Sequence, residues 1–158
     1  MKRIVAIVIL LILSSLALSA QKLYKPNTIY LVLQPVDYGI GIRYDRMFNP
    51  FWGSYIALSH GNYKLETGEI IKNHYKVVSG VLLYLRPSHR FYQTYLGVGL
   101  SYNEYSGLYN IPPTAPNSML DQWSFELSCH ARLARKFNIG VRVDPIKWDS
   151  SIDFGISF

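Results

Sequence analysis

Glu126, Ser128 and His130 stand at alternate positions of one stretch, so an extended chain carries a carboxylate, a hydroxyl and an imidazole on a single face. These are the groups of a nucleophilic hydrolase or acyltransferase, in which a base takes the hydroxyl proton and a third group orients the base. The spacing works against that chemistry. Side chains two residues apart on a strand are separated by about 7 Å at the backbone, too far for the hydrogen bond that activates a serine. The expected role of the three is that of satisfied interior polar groups, and no catalytic residue is assigned.

The remaining chemistry-bearing residues are sparse. His60, His74, His89 and His130 show no pairing at helical spacing, and the single cysteine, Cys129, cannot build a thiolate zinc site. No metal or cofactor is expected, although His60 and His74 flank a long hairpin and would form a metal-binding or pH-sensing pair if they met across it. Gly39-Ile40-Gly41 and Gly97-Val98-Gly99 lack the third glycine and the following helix of a dinucleotide fingerprint. They read as relief of crowding inside a narrow barrel. Cys129 lies between Leu127 and Ala131 on an apolar parity, the setting of an inert thiol.

The elements that carry these residues alternate with period two, and none has a helical period. Strands are expected at 28-34, 38-47, 52-62, 74-86, 90-103, 122-133, 136-144 and 148-158, eight in all. Trp123, Phe125, Leu127, Cys129, Ala131 and Leu133 oppose Ser124, Glu126, Ser128, His130 and Arg132. The last strand sets Trp148, Ile152, Phe154, Ile156 and Phe158 against Asp149, Ser151, Asp153, Gly155 and Ser157. A strand that ends on an aromatic residue reads as the closing strand of a membrane barrel rather than as a frayed polar tail. The fold expected is all-β: an eight-stranded antiparallel up-and-down transmembrane barrel.

Loop lengths and charge give that barrel a direction. The long connections near 63-73 and 104-121 fall on one side, outside, if both chain ends are periplasmic. Lys22, Lys25, Arg46, Arg86, Arg90, Arg132, Arg135 and Lys136 then gather at the periplasmic ends of strands, where they would meet anionic lipid headgroups. The inner parity carries Arg43, Asp45, Glu126, His130, Arg132, Arg142 and Asp153, with Lys76, Asp144 and Asp149. Both signs are mixed, as a polar network that fills a narrow lumen requires. The high tyrosine content, thirteen in all, suits a protein with membrane interfaces, where one end of a side chain is apolar and the other wet; Tyr95 lies on the polar parity with Gln93, Gly97 and Gly99.

The N-terminus agrees with export. Lys2 and Arg3 precede an apolar run from Ile4 to Leu13, then Ser14, Ser15 and a small-residue stretch to Ala20, the pattern of a cleaved secretory signal. Residues 1-20 are therefore read as a signal peptide, 21-27 as a lead-in and 28-158 as one barrel domain. Loss of Lys2 and Arg3 takes the formal charge from +6 to +4, too modest to imply nucleic acid without a basic groove. One cysteine excludes an internal disulfide framework, so stability after export must come from hydrogen bonding and packing.

The signal segment, the Gly-aromatic strand Tyr38-Gly39-Ile40-Gly41-Ile42-Arg43-Tyr44 and the terminal Asp153-Phe154-Gly155-Ile156-Ser157-Phe158 together resemble the small OmpA/OmpX-like, porin-family outer-membrane β-barrel proteins of Gram-negative bacteria. The resemblance covers roughly residues 28 to 158. It implies an outer-membrane location and contact with outer-membrane lipids. It also implies that Phe154, Ile156 and Phe158 form the signal read by the barrel assembly machinery. The expected function is that of a monomeric surface-exposed barrel with an envelope or interaction role and no catalysis. Tyr63, Tyr109 and Ile111 are the candidate loop contacts to an extracellular protein or ligand. A lipid-modifying deacylase or acyltransferase on the same fold is the alternative, and a secreted lipocalin-like barrel with the apolar parity facing a cavity is a third.

Overall fold

Strands form where the alternation runs, because only a half-buried pleated surface sends every second residue to a different solvent. In the computed structural model they are β1 Asn27–Gln34, β2 Gly39–Met47, β3 Trp52–Lys64, β4 Ile70–Tyr84, β5 Tyr92–Tyr105, β6 Trp123–Leu133, β7 Phe137–Asp144 and β8 Asp149–Ser157. The structure describes residues 26–35, 38–64, 70–85, 92–105, 123–133 and 136–158. The expected signal peptide, Lys22, Lys25, Arg86, His89, Arg90, Tyr109, Ile111 and Arg135 lie outside the described residues, as does the side chain of Tyr63.

Each strand pairs antiparallel with the next, and β8 returns to β1 to close the barrel. The closing ladder runs from Thr28 opposite Ser157 to Leu33 opposite Ile152. It is extended by Asn27 and Phe158, each of which donates its amide to the other's carbonyl at 3.3 and 2.9 Å. Closure leaves no free edge in the part of the wall that all eight strands share. Tight turns are pinned by side chains. Asn49 Oδ1 accepts the amides of Phe51 and Trp52 at 2.9 and 2.8 Å, and Asp144 Oδ1 accepts those of Ile146 and Lys147 at 3.1 and 3.0 Å. Trp148, expected within the last strand, instead ends the β7–β8 turn with φ of 54° and is 82 % exposed.

The apolar face is the outer face. Leu31, Ile42, Val98, Leu127, Val141 and Phe154 are between 46 % and 61 % exposed, whereas Arg43, Asp45, Glu126, Arg142 and Asp153 are at most 3 % exposed. A lipocalin-like barrel needs the opposite arrangement, so that reading is overturned. A continuous apolar belt around a polar interior is matched to hydrocarbon. Exposed aromatic residues edge the belt at both ends, Phe51, Trp52, Phe137 and Phe158 at one and Tyr38, Trp123 and Trp148 at the other. Closed barrels satisfy every backbone group internally, the condition for crossing a bilayer with strands.

The wall is uneven in height. β3, β4 and β5 have 13, 15 and 14 residues, against 8 in β1 and in β7. The β2–β3 ladder ends at Ile40–His60 and the β5–β6 ladder at Tyr102–Trp123. Beyond those rungs β3 to β5 continue as a three-stranded sheet, in which Lys64 pairs with Ile70 and His74 with Tyr105. A bulge between Gly61 and Tyr63, near Asn73 with φ of 62°, marks the irregular start of this extension.

Candidate functional site

Eight strands leave an interior just wide enough to be filled by side chains, so any solute path would have to run through what fills it. Among the described residues the interior holds four buried cations, Arg43, Lys76, Arg132 and Arg142, and five buried carboxylates, Asp45, Glu126, Asp144, Asp149 and Asp153. The near balance of signs gives the lumen no single-sign field to draw an ion through.

Parity brings these groups inward, and register decides who meets whom. Arg43 grips Asp45 through Nε at 2.6 Å and Nη2 at 3.1 Å, and its Nη1 reaches Asp153 Oδ2 at 3.3 Å. Arg142 donates from Nε to Asp153 Oδ2 at 2.9 Å and from Nη1 to Glu126 Oε2 at 2.9 Å. Lys76 Nζ then lies 2.6 Å from Glu126 Oε1, 2.8 Å from Asp149 Oδ2 and 3.8 Å from Asp144 Oδ2. One unbroken relay of ion pairs thus braces β2, β4, β6, β7 and β8 across the lumen. A buried pair of this kind contributes little net stability against an apolar substitute, yet removing one partner costs about 3–5 kcal/mol because the other charge stays buried.

The relay is sealed on its chain-terminus side by aromatic rings. Tyr84 and Tyr95 lie 4.9 Å apart at their ring centroids, Tyr95 stacks on His130 at 5.2 Å, and Tyr30 meets the same imidazole edge-on at 5.3 Å. The hydroxyls of Tyr30 and Tyr95 are hydrogen bonded to one another. Tyr55 underlies the Arg43 guanidinium at 4.0 Å. Tyrosine is not confined to the membrane interface: Tyr30, Tyr55, Tyr84 and Tyr95 are lumen residues, Tyr95 in agreement with its polar parity. The physical reason is that a ring with a polar tip fills space beside guanidinium and imidazole while still offering a hydrogen bond. The visible signal was position, since Tyr30 falls between Ile29 and Leu31, both outward.

Arg132 also turns inward, where Nε donates to Asn138 Oδ1 at 3.3 Å and Nη2 to Thr28 Oγ1 at 3.4 Å. It is therefore not part of a lipid-facing basic rim, because its parity commits it to the lumen. Exposed cations at that end are Arg46 and Lys136 among the described residues. Toward the other mouth, Ser124 donates to Asp144 and is bonded to Ser101, and His74 Nε2 is 3.0 Å from Asn103 Oδ1.

The acid, hydroxyl and imidazole of β6 share the inner face but do not form a reactive pair. His130 Nε2 lies 2.9 Å from Asp153 Oδ2 and 3.1 Å from Arg43 Nη1, while Ser128 Oγ and His130 Nδ1 have no hydrogen-bond partner. His60 and His74 do not approach one another either. His60 faces out against Tyr75, with centroids 4.5 Å apart, and His74 is 2 % exposed inside. Strand parity separates them, and no cluster of three or more metal-ligating side chains occurs among the described residues. Phe154, Ile156 and Phe158 stand on the outer face, 46 %, 56 % and 56 % exposed, and the backbone of Tyr63 lies opposite Ile71 in the sheet extension.

The polarity of its own surface makes the chain an integral membrane β-barrel, antiparallel and even-stranded as outer-membrane barrels are. No family model matches it. No curated protein sequence matches it either. Among solved structures it is similar to the outer membrane protein OprG from Pseudomonas aeruginosa, with 14 % identity over 86 % of this chain and 97 % of that one and a TM-score of 0.45. It is also similar to Ail, the attachment invasion locus protein of Yersinia pestis, with 13 % identity over 83 % of this chain and 92 % of that one and a TM-score of 0.40.

Proposed function

We propose that this barrel serves the envelope by holding recognition surface outside the cell, without catalysis and without conducting solutes. The observation that carries the reading is the combination of a lumen filled by ion pairs with a wall that rises on one side only. If nothing passes through the barrel, what it offers its surroundings is its outer end. There β3 and β4 run on past the last β2–β3 rung to pair Lys64 with Ile70, and β5 runs on to Tyr105 opposite His74. Strands that extend beyond the membrane are a surface on which another chain can dock, and Tyr109 and Ile111 belong to the connection that follows β5 in the chain.

The orientation follows from the same asymmetry, since the longest connection belongs outside and the chain ends inside. Residues 1–20 are taken as the export signal and Phe154, Ile156 and Phe158 as the assembly signal. A monomer suffices, because the barrel closes on itself. The commitment of His130 to Asp153 and the isolation of Ser128 Oγ support a non-catalytic role.

The test compares cells displaying the intact barrel with cells in which 65–69 and 106–122 are replaced by short turns. Retention on an array of immobilised extracellular glycoproteins and polysaccharides is the measurement. Stronger retention of the intact form is expected, and equal retention of the two forms at equal surface levels would contradict the reading.

A further inference from the structure

Two large aromatic residues hold the backbone in the left-handed region, Tyr38 with φ of 48° and Trp148 with φ of 54°. A bulky side chain is strained there, because its Cβ crowds the following carbonyl oxygen, and glycine or asparagine would make either turn at lower cost. Packing within the chain does not repay that strain. Tyr38 is 85 % exposed and Trp148 82 % exposed, against 51 % for Trp52 and 58 % for Trp123 in the belt. A strained residue that keeps a large, unpacked side chain points to a use for the side chain outside the molecule.

The two turns are neighbours at the outer end of the closing seam. Tyr38 precedes Gly39, which pairs with Gln34, and Trp148 precedes Asp149, whose Oδ2 accepts a hydrogen bond from Gln34 Nε2 at 3.4 Å. One residue of β1 thus ties down the backbone beside each ring, and the rings rise from the two strands that flank β1. Ile40 and Ile146, each two residues away and more than half exposed, carry the apolar wall up to them.

We infer that Tyr38 and Trp148 form a paired docking site for the sugar headgroup of a glycolipid in the outer leaflet. The inference rests on the membrane-barrel reading and its orientation. Rings that stand off the wall just above its apolar part enter the headgroup layer, which in the outer leaflet of an outer membrane is built of glycolipid sugars. Hydrocarbon offers nothing to the Tyr38 O–H or the Trp148 N–H. A sugar offers an apolar C–H face to each ring and hydroxyl oxygens to its polar tip. The belt aromatics need only an interface, whereas this pair should tell one headgroup from another.

The test is the urea midpoint of the refolded barrel in dioleoylphosphatidylcholine vesicles with and without added lipid A. Wild type is compared with Tyr38→Gly/Trp148→Gly and Tyr38→Asn/Trp148→Asn, whose new residues suit the left-handed backbone, and with the belt variant Trp123→Leu. Each protein is first checked for heat-dependent gel mobility. Lipid A should raise the midpoint of wild type and of Trp123→Leu and leave both double variants unmoved. No rise in wild type, or an equal rise in the double variants, would overturn the site. Loss of the rise in Trp123→Leu would assign it to the belt as a whole and overturn the site too. Absence of a heat-dependent shift in wild type would instead overturn the membrane-barrel reading beneath it.

Discussion

Arg142 and Asp153 face one another across the β7–β8 ladder, Nε to Oδ2 at 2.9 Å, with both side chains almost wholly sealed from solvent. Asp153 also lies against Arg43 and His130, so one carboxylate joins three groups from three other strands. That makes it the junction of the lumen relay.

Replacing Asp153 with Asn should leave two buried guanidinium groups short of negative charge. The barrel should still insert but lose about 3–5 kcal/mol of stability, read as a lower urea midpoint of the refolded protein in lipid vesicles. Ser151→Ala, which removes only a 3.4 Å hydrogen bond to Asp153 Oδ1 and no charge, should shift the midpoint far less. An unchanged midpoint in Asp153→Asn would mean that the relay does not brace the wall.

Gly140 has the His130 ring where a Cβ would be placed. Gly140→Ala should therefore destabilise the barrel by about 1–3 kcal/mol through overpacking. In the His130→Ala background the same change should cost measurably less, a coupling that a double-mutant cycle of urea midpoints would read. Additive losses would show that the two positions do not crowd one another.

Ser128 Oγ is buried without a hydrogen-bond partner. Ser128→Ala removes an unsatisfied polar atom and should leave stability unchanged or raise it by about 1 kcal/mol. Deacylase and acyltransferase assays on membrane lipids should not distinguish the variant from wild type. A loss of lipid-modifying activity in Ser128→Ala would restore the enzymatic alternative.

Phe158 extends the closing ladder by a backbone pair with Asn27 and presents its ring outward. Deleting it should lower the yield of barrel inserted in cells more than it lowers the urea midpoint of barrel already inserted. Equal insertion yields for the two proteins would remove its role as an assembly signal.

Much of this architecture was readable from alternation. Once the segments are strands, Glu126, Ser128 and His130 must share a face and Phe154 must oppose Asp153, because the side-chain period of a strand is two. Parity alone does not say which face is wet, and closure of the wall resolved that. It also says nothing about axial position, which is why Arg132 could be counted both as a rim cation and as a lumen group until its bonds to Asn138 and Thr28 placed it. The partners in the relay depend on register. Lys76 meets Glu126 although the two are fifty residues apart in the chain and not on adjacent strands. Of the tyrosine layer only Tyr95 was visible, through its parity with Gln93 and Gly97; composition pointed to the interface, whereas the placement of Tyr30 and Tyr84 depends on which outward residues bracket them.

The claim on which the rest stands is that the apolar parity meets hydrocarbon. Cys129 tests it directly, being the single cysteine of the chain and exposed on the outer wall. The unfolded protein is labelled there with a small fluorophore and refolded into vesicles, and quenching by brominated acyl chains is compared with quenching by aqueous iodide. The account predicts strong quenching by the acyl-chain bromines and little by iodide. Strong quenching by iodide with none from the lipid would contradict it.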